Sequence, residues 1–345
     1  MNRKTRFLLN VLLVAGLFFL LYLAKHYLNS YMVRIITLGG VYVVLAVSYN
    51  LVNGITGQFS LGPNAFMAVG AYTASLLTLS VASKQQMFFI EPLIWPFNSV
   101  QIHFFPATLL GGVAGGLTAY LVGIPSFRLR GDYLAIVTLG FGEIVRVIAN
   151  NVIFLTNGAL GLKDIPNYTN IYWAWGWAVF TFFFVRKLTD SSYGRAFKAI
   201  REDEIAAEAM GINPFKHKML SFVISGFFAG VGGALLAHLI TTISPVLFSF
   251  FITFNLLIII VLGGLGSSTG AAIAAVLFAV ISELLRAIES PMNLGFIHIP
   301  GIPGMRMVVF AILLVVFMIF WPRGIMGRKE LTWDLFFNRK RGGVS

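Results

Sequence analysis

The chain has 345 residues, of which 58% are hydrophobic and 11% charged, against the roughly 25% charged residues of soluble domains; its mean hydropathy is +0.85. That balance excludes a pair of soluble domains. The formal net charge of +12 lies between apolar runs with no interleaved stacking aromatics, so it gives no support to nucleic-acid binding, and the absence of cysteine rules out disulfides, thiolate metal sites and thiol nucleophiles.

Read from the N-terminus, Arg3, Lys4 and Arg6 precede an apolar run, Phe7–Ala24, that is long enough to span a bilayer and is followed by no small-residue cleavage site. It is read as an uncleaved first span. Nine further apolar segments follow: Tyr31–Val52, Ala65–Ala82, Ile102–Gly123, Tyr133–Asn150, Tyr172–Val185, Met219–Thr241, Val246–Leu265, Gly270–Ile288 and Arg306–Trp321. The expected fold is therefore an all-α polytopic membrane protein of about ten transmembrane helices, with a broken or re-entrant element and a cytoplasmic coupling helix. Placing the N-terminus inside puts 18 of the 25 basic residues on the inner side and 3 outside, as the bias of Lys and Arg toward the cytoplasm requires. Both termini are then cytoplasmic. Residues 1–30 form the first span, 31–327 the transmembrane domain with its loop 186–218, and 328–345 a basic tail.

The first irregular stretch is Asn53–Asn64, NGITGQFSLGPN, with three glycines, a proline and several side-chain donors. Backbone at membrane depth leaves the helix only where protein or water satisfies it. Gly57, Gln58, Ser60, Gly62 and Asn64 are the candidates for shaping a transport path; an ordinary tight loop is the competing reading. Glycines four apart, Gly111/Gly115, Gly112/Gly116 and Gly226/Gly230, predict close helix packing. Glu143 and Arg146 stand three apart in one span, and Glu283 and Arg286 repeat the spacing in another. Such intramembrane pairs are expected to neutralise themselves. His238, alone in its span, reads as a packed, hydrogen-bonded residue.

The long charged stretch between apolar segments is Arg186–Lys218. Within it Tyr193–Met210 is alanine-rich and proline-free, and the spacing predicts one helix with Lys198/Glu202 and Arg201/Glu204 pairs. Gly211 ends it, and Asn213-Pro214 turns the chain back to the membrane. A solvated linker helix is the bland alternative, but Ala206–Ala207 and Ala209–Met210 offer a low apolar surface suited to a partner's groove.

Five blocks in order, NLVNGITGQFSLGPNAFMAVGAYTA (50–74), FRLRGDYLAIVTLGFGEIVRVIANN (127–151), YGRAFKAIREDEIAAEAMGI (193–212), GGLGSSTGA (263–271) and WPRGIMG (321–327), resemble the permease subunits of branched-chain amino acid (LivM-type) ABC importers. The resemblance implies that Tyr193–Ile212 couples to an ATPase subunit, with Arg195, Arg201, Asp203, Glu204, Ala207, Glu208 and Gly211 as the coupling residues. It implies a second related permease, two ABC ATPases, an extracytoplasmic substrate-binding protein and a lipid bilayer of the bacterial inner-membrane type as partners. Outer loops 83–101, 151–171 and 289–305 would receive the binding protein. The chain is then no enzyme: it has no GxxxxGK[ST] loop, and ATP with its Mg would be bound by the partner ATPases. It departs from the family's pattern at Ile205, where the coupling motif carries an acid, at TNGALG (156–161), and at Asn64. A urea or short-amide permease is the rival within the class. An ion-coupled secondary transporter is the rival outside it, and would carry unpaired acids at mid-membrane.

Overall fold

The computed structural model describes residues 3–89, 91–128, 133–289, 292–294, 297–299, 304–321, 323–327 and 329–331. Arg130, most of the loop 289–305 and the tail 332–345 lie outside the described residues. Helix α1 covers Arg3–Tyr27 and α2 Ser30–Asn50, α2 running on into a π-helical turn, Leu51–Ile55. Then come α3 (Pro63–Thr78), α4 (Val81–Met87), α5 (Phe104–Ser126), α6 (Tyr133–Asn151) and the single turn α7 (Ile153–Thr156). They are followed by α8 (Ile171–Thr189), α9 (Ser192–Glu202), α10 (Glu204–Ala209), α11 (Pro214–Ile240), α12 (Phe250–Gly263), α13 (Ser268–Glu289) and α14 (Met305–Phe320). A small antiparallel hairpin, β1 (Met292–Leu294) and β2 (Ile297–Ile299), departs from the all-helical expectation.

The helix starts follow from local chemistry. Asn29, Asn170 and Asn213 accept hydrogen bonds from the first free N–H groups of α2, α8 and α11, and Pro63 and Pro214 open α3 and α11 where a missing N–H is harmless. Among the described residues six helices are long and apolar enough to cross a membrane, and a seventh span results if α3 and α4, bent by 118°, are taken together. Helix α8 has the length, but its tryptophans and Arg186-Lys187 dilute its hydropathy; α12 and α14 are shorter.

Two ends of the bundle can be told apart by their contacts. At one, Arg201 reaches Gly54, Gly264 packs on Gly327 and Arg186 faces Glu330. At the other, Ile102 N–H bonds Leu77 C=O, Ser83 bonds Asp164, and Leu162 bridges Ile243. The ten apolar segments read from the sequence each contain a helix, and these helices alternate in direction between the two ends.

The core is built on α2 and α11, the helices whose apolar windows are most buried. Glycine decides how close α3, α5 and α11 come. A Cβ on Gly70 would stand 2.3 Å from the Gly230 carbonyl oxygen, and one on Gly115 would stand 2.6 Å from that of Gly226. Without side chains, the three backbones touch. His238 lies fully buried beside this seam, with its Nε2 2.7 Å from Thr78 Oγ1 and its Nδ1 2.8 Å from the Ala234 carbonyl. Gly70→Val should force α3 off α11 at a cost of at least the about 1–3 kcal/mol of an overpacked core. A fall in the melting temperature of the detergent-solubilised chain would register it, whereas Gly16→Val, which meets nothing within 4 Å, should leave the melt unchanged.

Candidate functional site

The chain breaks that interrupt the helices converge in two places. At the first, the π turn of α2 ends with Thr56 N–H on Leu51 C=O and Gln58 N–H on Val52 C=O, both at 3.0 Å. Gly57 then takes φ +74°, which an L side chain rarely adopts, and the chain doubles back along α2. Tyr49 donates its hydroxyl to the Ser60 carbonyl at 2.6 Å, and Asn53 exchanges two 3.3 Å bonds with the Ser60 backbone. Ser60 is therefore held back alongside the last turns of α2, between Tyr49 and Asn53. Leu61 N–H bonds Thr138 Oγ1 on α6 at 2.9 Å before α3 begins.

Helix α9 clamps this break. It lays Ala196, Phe197 and Ile200 on the bundle, and its Arg201 donates to the Gly54 carbonyl at 3.1 Å. The Arg201 stem crosses Gly57 so closely that a Cβ there would stand 2.4 Å from Arg201 Cγ. The turn between α12 and α13 closes the third side: Gly266 N–H bonds Asn50 Oδ1 at 3.0 Å, and Gly54 is pressed against Gly266. The break after α2 and the turn between α12 and α13 thus meet on one guanidinium.

The predicted single helix Tyr193–Met210 is two helices. Asp203 is extended (φ −157°, ψ 113°) and caps α10, its Oδ1 accepting from Ile205 and Ala206 N–H at 2.9 and 3.0 Å. Capping by a short acid is favoured over continuation at this point. The break also changes the pairing: Arg201 joins Glu202 at 2.6 Å, and Glu204 joins Lys218 at 2.5 Å, in place of an Arg201/Glu204 pair. Ala207 is buried against its own chain, where its carbonyl accepts from Ile212 N–H, so it is not part of the exposed face. Ile205 (71% exposed), Met210 (82% exposed), Ala206 and Ala209 make that face. Gly211 stops the helix at φ +83°, and Arg195 lies exposed, donating to Ser192 Oγ. Glu204, Glu208 and Gly211 line a recess of about 510 Å³ with Phe127, Arg128 and Lys218.

The second convergence lies deeper. Between α11 and α12 the chain bridges Leu162 at Ile243 and then descends through a 3₁₀ turn, Pro245–Phe248. The Phe248 ring packs 6.2 Å from that of Tyr72, six residues or about 9 Å below Thr78 along α3. Its carbonyl accepts from Asn64 Nδ2 at 3.1 Å. One break enters from each end, and they touch at Asn64 and Phe248. Gln58, Ser60 and Asn64 are buried there, while Gly57 is exposed; Gly62 fits against the Thr138 carbonyl and Gly142 against the Asn64 amide. Among the described residues, both amide atoms of Gln58, Oδ1 of Asn64 and the hydroxyls of Tyr72 and Thr253 are buried without a partner.

Both predicted ion pairs form. Arg146 Nε is 2.6 Å from Glu143 on a third-exposed stretch of α6, and Arg286 lies 3.2 Å from Glu283, which also accepts from the Tyr31 hydroxyl. The TNGALG stretch forms a tight turn with Asn157, Gly158 and Gly161 all at positive φ. Arg201's partners Gly54 and Gly266, and Phe248, escaped sequence reading. The Asn53-Gly54 pair and the glycine-rich 263–270 turn signalled two of them, but nothing local marked Phe248.

Residues 31–318 match the family described as branched-chain amino acid transport system, permease component. Over 328 residues the chain is 32% identical to the high-affinity branched-chain amino acid transport permease LivM of Escherichia coli, covering 85% of this chain and 69% of that protein. It is 26% identical to LivH of the same organism over 86% of the chain and 94% of LivH. It is 25% identical to BraD of Pseudomonas aeruginosa over 89% of the chain and 97% of BraD. No solved structure matches.

The first convergence makes a prediction of its own. A Cβ on Gly54 would stand 2.1 Å from Asn50 Oδ1 and 2.3 Å from Gly266 N, so Gly54→Ala should separate α2 from the 263–267 turn at about 1–3 kcal/mol. Faster amide exchange at residues 263–267, with α5 and α11 unaffected, is the expected readout.

Proposed function

The chain belongs to the branched-chain amino acid transport system permease component family, and from that premise we propose that it is one of two related permeases of an ATP-driven importer of leucine, isoleucine and valine. As a transport permease it is not an enzyme. Two separate ATPase subunits supply the energy, and an extracytoplasmic binding protein supplies the substrate. The ten alternating helices are ten spans of a cytoplasmic membrane, and the end that carries α9 and α10 faces the cytoplasm together with both termini. The basic residues of Arg186–Lys218 at that end support this orientation.

The observation that carries the reading is the exposed face of α10. Ile205, Ala206, Ala209 and Met210 are apolar, small or flexible, and stand in solvent at the charged end of the molecule. Such a surface suits the groove of a partner, and α10 is the coupling helix. Its neighbour α9 carries Arg201, so a shift of α10 is delivered to Gly54, Gly57 and the 263–267 turn. From there it reaches the two breaks that meet at Asn64 and Phe248. ATP binding that favours one position of α10 then shifts the population between closed and open paths.

Helix α6 turns a third-exposed ion pair, Glu143–Arg146, outward between Ile144 and Val147. Bare lipid is a costly surroundings for it. The second permease covers this face, and the amino acid passes between the two. The unpartnered polar atoms of Gln58, Asn64 and Tyr72 become available to water or substrate when the break opens.

Ile205→Asp combined with Met210→Asp should leave membrane insertion and the second permease in place while removing the ATPases from the purified assembly. ATP-dependent leucine uptake in proteoliposomes should fall by at least about tenfold, the cost of burying an unpaired charge at a contact. Retention of the ATPases and of uptake in this double variant would refute the assignment of α10.

A further inference from the structure

A cleft of about 1200 Å³ runs between α1, α8 and α13. It is separate from both convergences described above, and its use requires only that the chain sits in a bilayer. Along α8 the cleft extends from Trp175 to Asp190, and along α13 from Thr269 to Val280. At 1.5 Å per residue those walls are about 22 and 16 Å long, against about 15 Å for one leaflet of a 30 Å hydrocarbon core. The cleft is as deep as one leaflet.

Its polarity is segregated. The polar lining side chains Asn10, Arg186, Lys187, Asp190 and Thr269 gather at the α9 end, and the rest of the wall is aliphatic or aromatic. The indole N–H of Trp175, at the far end, is already spent on the Ile36 carbonyl at 3.0 Å. A soluble metabolite would find nothing to bind in the body of this cleft, whereas an amphiphile with one polar head fits it throughout. The head group can also be read. Arg186 is engaged by Glu330 at 3.5 Å. Among the described residues neither Lys187 nor Asp190 is in an ion pair, and both are exposed at the mouth. One free cation and one free anion complement a zwitterion, with a phosphate toward Lys187 and an ammonium toward Asp190.

We propose that this cleft is a binding site for a phospholipid of the phosphatidylethanolamine class, taken from the leaflet at the α9 end. Its acyl chains fill the space between α1 and the body of the protein. Helix α1 has little protein contact of its own, since only 6% of its apolar window is buried, and the lipid supplies the apolar surface that α1 otherwise lacks. The site adjoins the junction of α8 with α9, so the lipid also steadies the root of the coupling segment.

The test is native mass spectrometry of the full-length chain, with its co-purifying subunits, released from nanodiscs of equal phosphatidylethanolamine and phosphatidylglycerol. The wild type should retain a phosphatidylethanolamine per copy of this chain. Lys187→Glu should lower that retention by about tenfold, the loss of one charge-assisted contact. Ala272→Phe with Val276→Phe should abolish it by filling the cleft. Because the filled variant can fail to assemble, a second arm uses the wild type against Trp175→Phe. Phosphatidylethanolamine with brominated acyl chains should quench a tryptophan signal that the substitution removes. Retention of no phospholipid, retention unchanged by both variants, preferential retention of phosphatidylglycerol, or no quenching assigned to Trp175 would overturn the proposal. None of these outcomes depends on ATP or on transport.

Discussion

The contact on which the rest depends is that of Arg201 with the Gly54 carbonyl. A guanidinium carries five donors in a rigid plane and stays charged in all conditions, so it can hold a backbone carbonyl where an exposed lysine would drift. Here it holds the end of α2 at the point where the helix has already loosened into a π turn. Its aliphatic stem requires Gly57 to be bare, and the tip of its plane requires Gly266 to be bare as well. Gly54 is bare for a different reason, since a Cβ there would meet Asn50 Oδ1 and Gly266 N, and Gly57 and Gly266 also hold positive φ, so glycine at the three positions answers to several constraints that meet beside the arginine.

From that contact the structure divides into a rigid part and a part able to move. The rigid part is the seam of α3, α5 and α11, where glycine lets backbones touch and no side chain stands between to be repacked. The other part is the pair of chain breaks, one entering from each end of the bundle and meeting where Asn64 donates to the Phe248 carbonyl and the Phe248 ring packs beside Tyr72. Packed seams have few alternative arrangements. Among the described residues, the amide of Gln58 and the hydroxyl of Tyr72 are buried at the breaks without a partner.

Much of this was legible in the sequence because hydropathy in a bilayer is a strong signal. All ten apolar segments contain helices, the glycine pairs do bring helices together, and both Glu/Arg spacings close into ion pairs. The errors have a common cause. Helical propensity over Tyr193–Met210 is continuous, but Asp203 gains more as a cap for α10 than as an interior residue, and with the break Arg201 pairs with Glu202 and Glu204 with Lys218. Ala207 looked like part of a docking face because it is small and apolar beside Ala206, yet it is buried against its own chain. Phe248 could not be found at all, since a phenylalanine in an apolar run has no local mark, and its role comes from a backbone carbonyl placed by the return of the chain from Ile243. Length and apolarity alone support six spans and a bent pair among the described residues, because α8 is diluted by its tryptophans and basic end while α12 and α14 are short.

The most direct measurement of the central claim is the number of ATP molecules hydrolysed per amino acid imported by the reconstituted transporter carrying Arg201→Ala. If Arg201 transmits the movement of α10 to the chain break, the assembly should persist and hydrolyse ATP while the ratio rises by about tenfold or more, the loss of a charge-assisted contact at the junction. An intact assembly with the wild-type ratio would show that the force passes elsewhere, and the account built on this residue would be wrong.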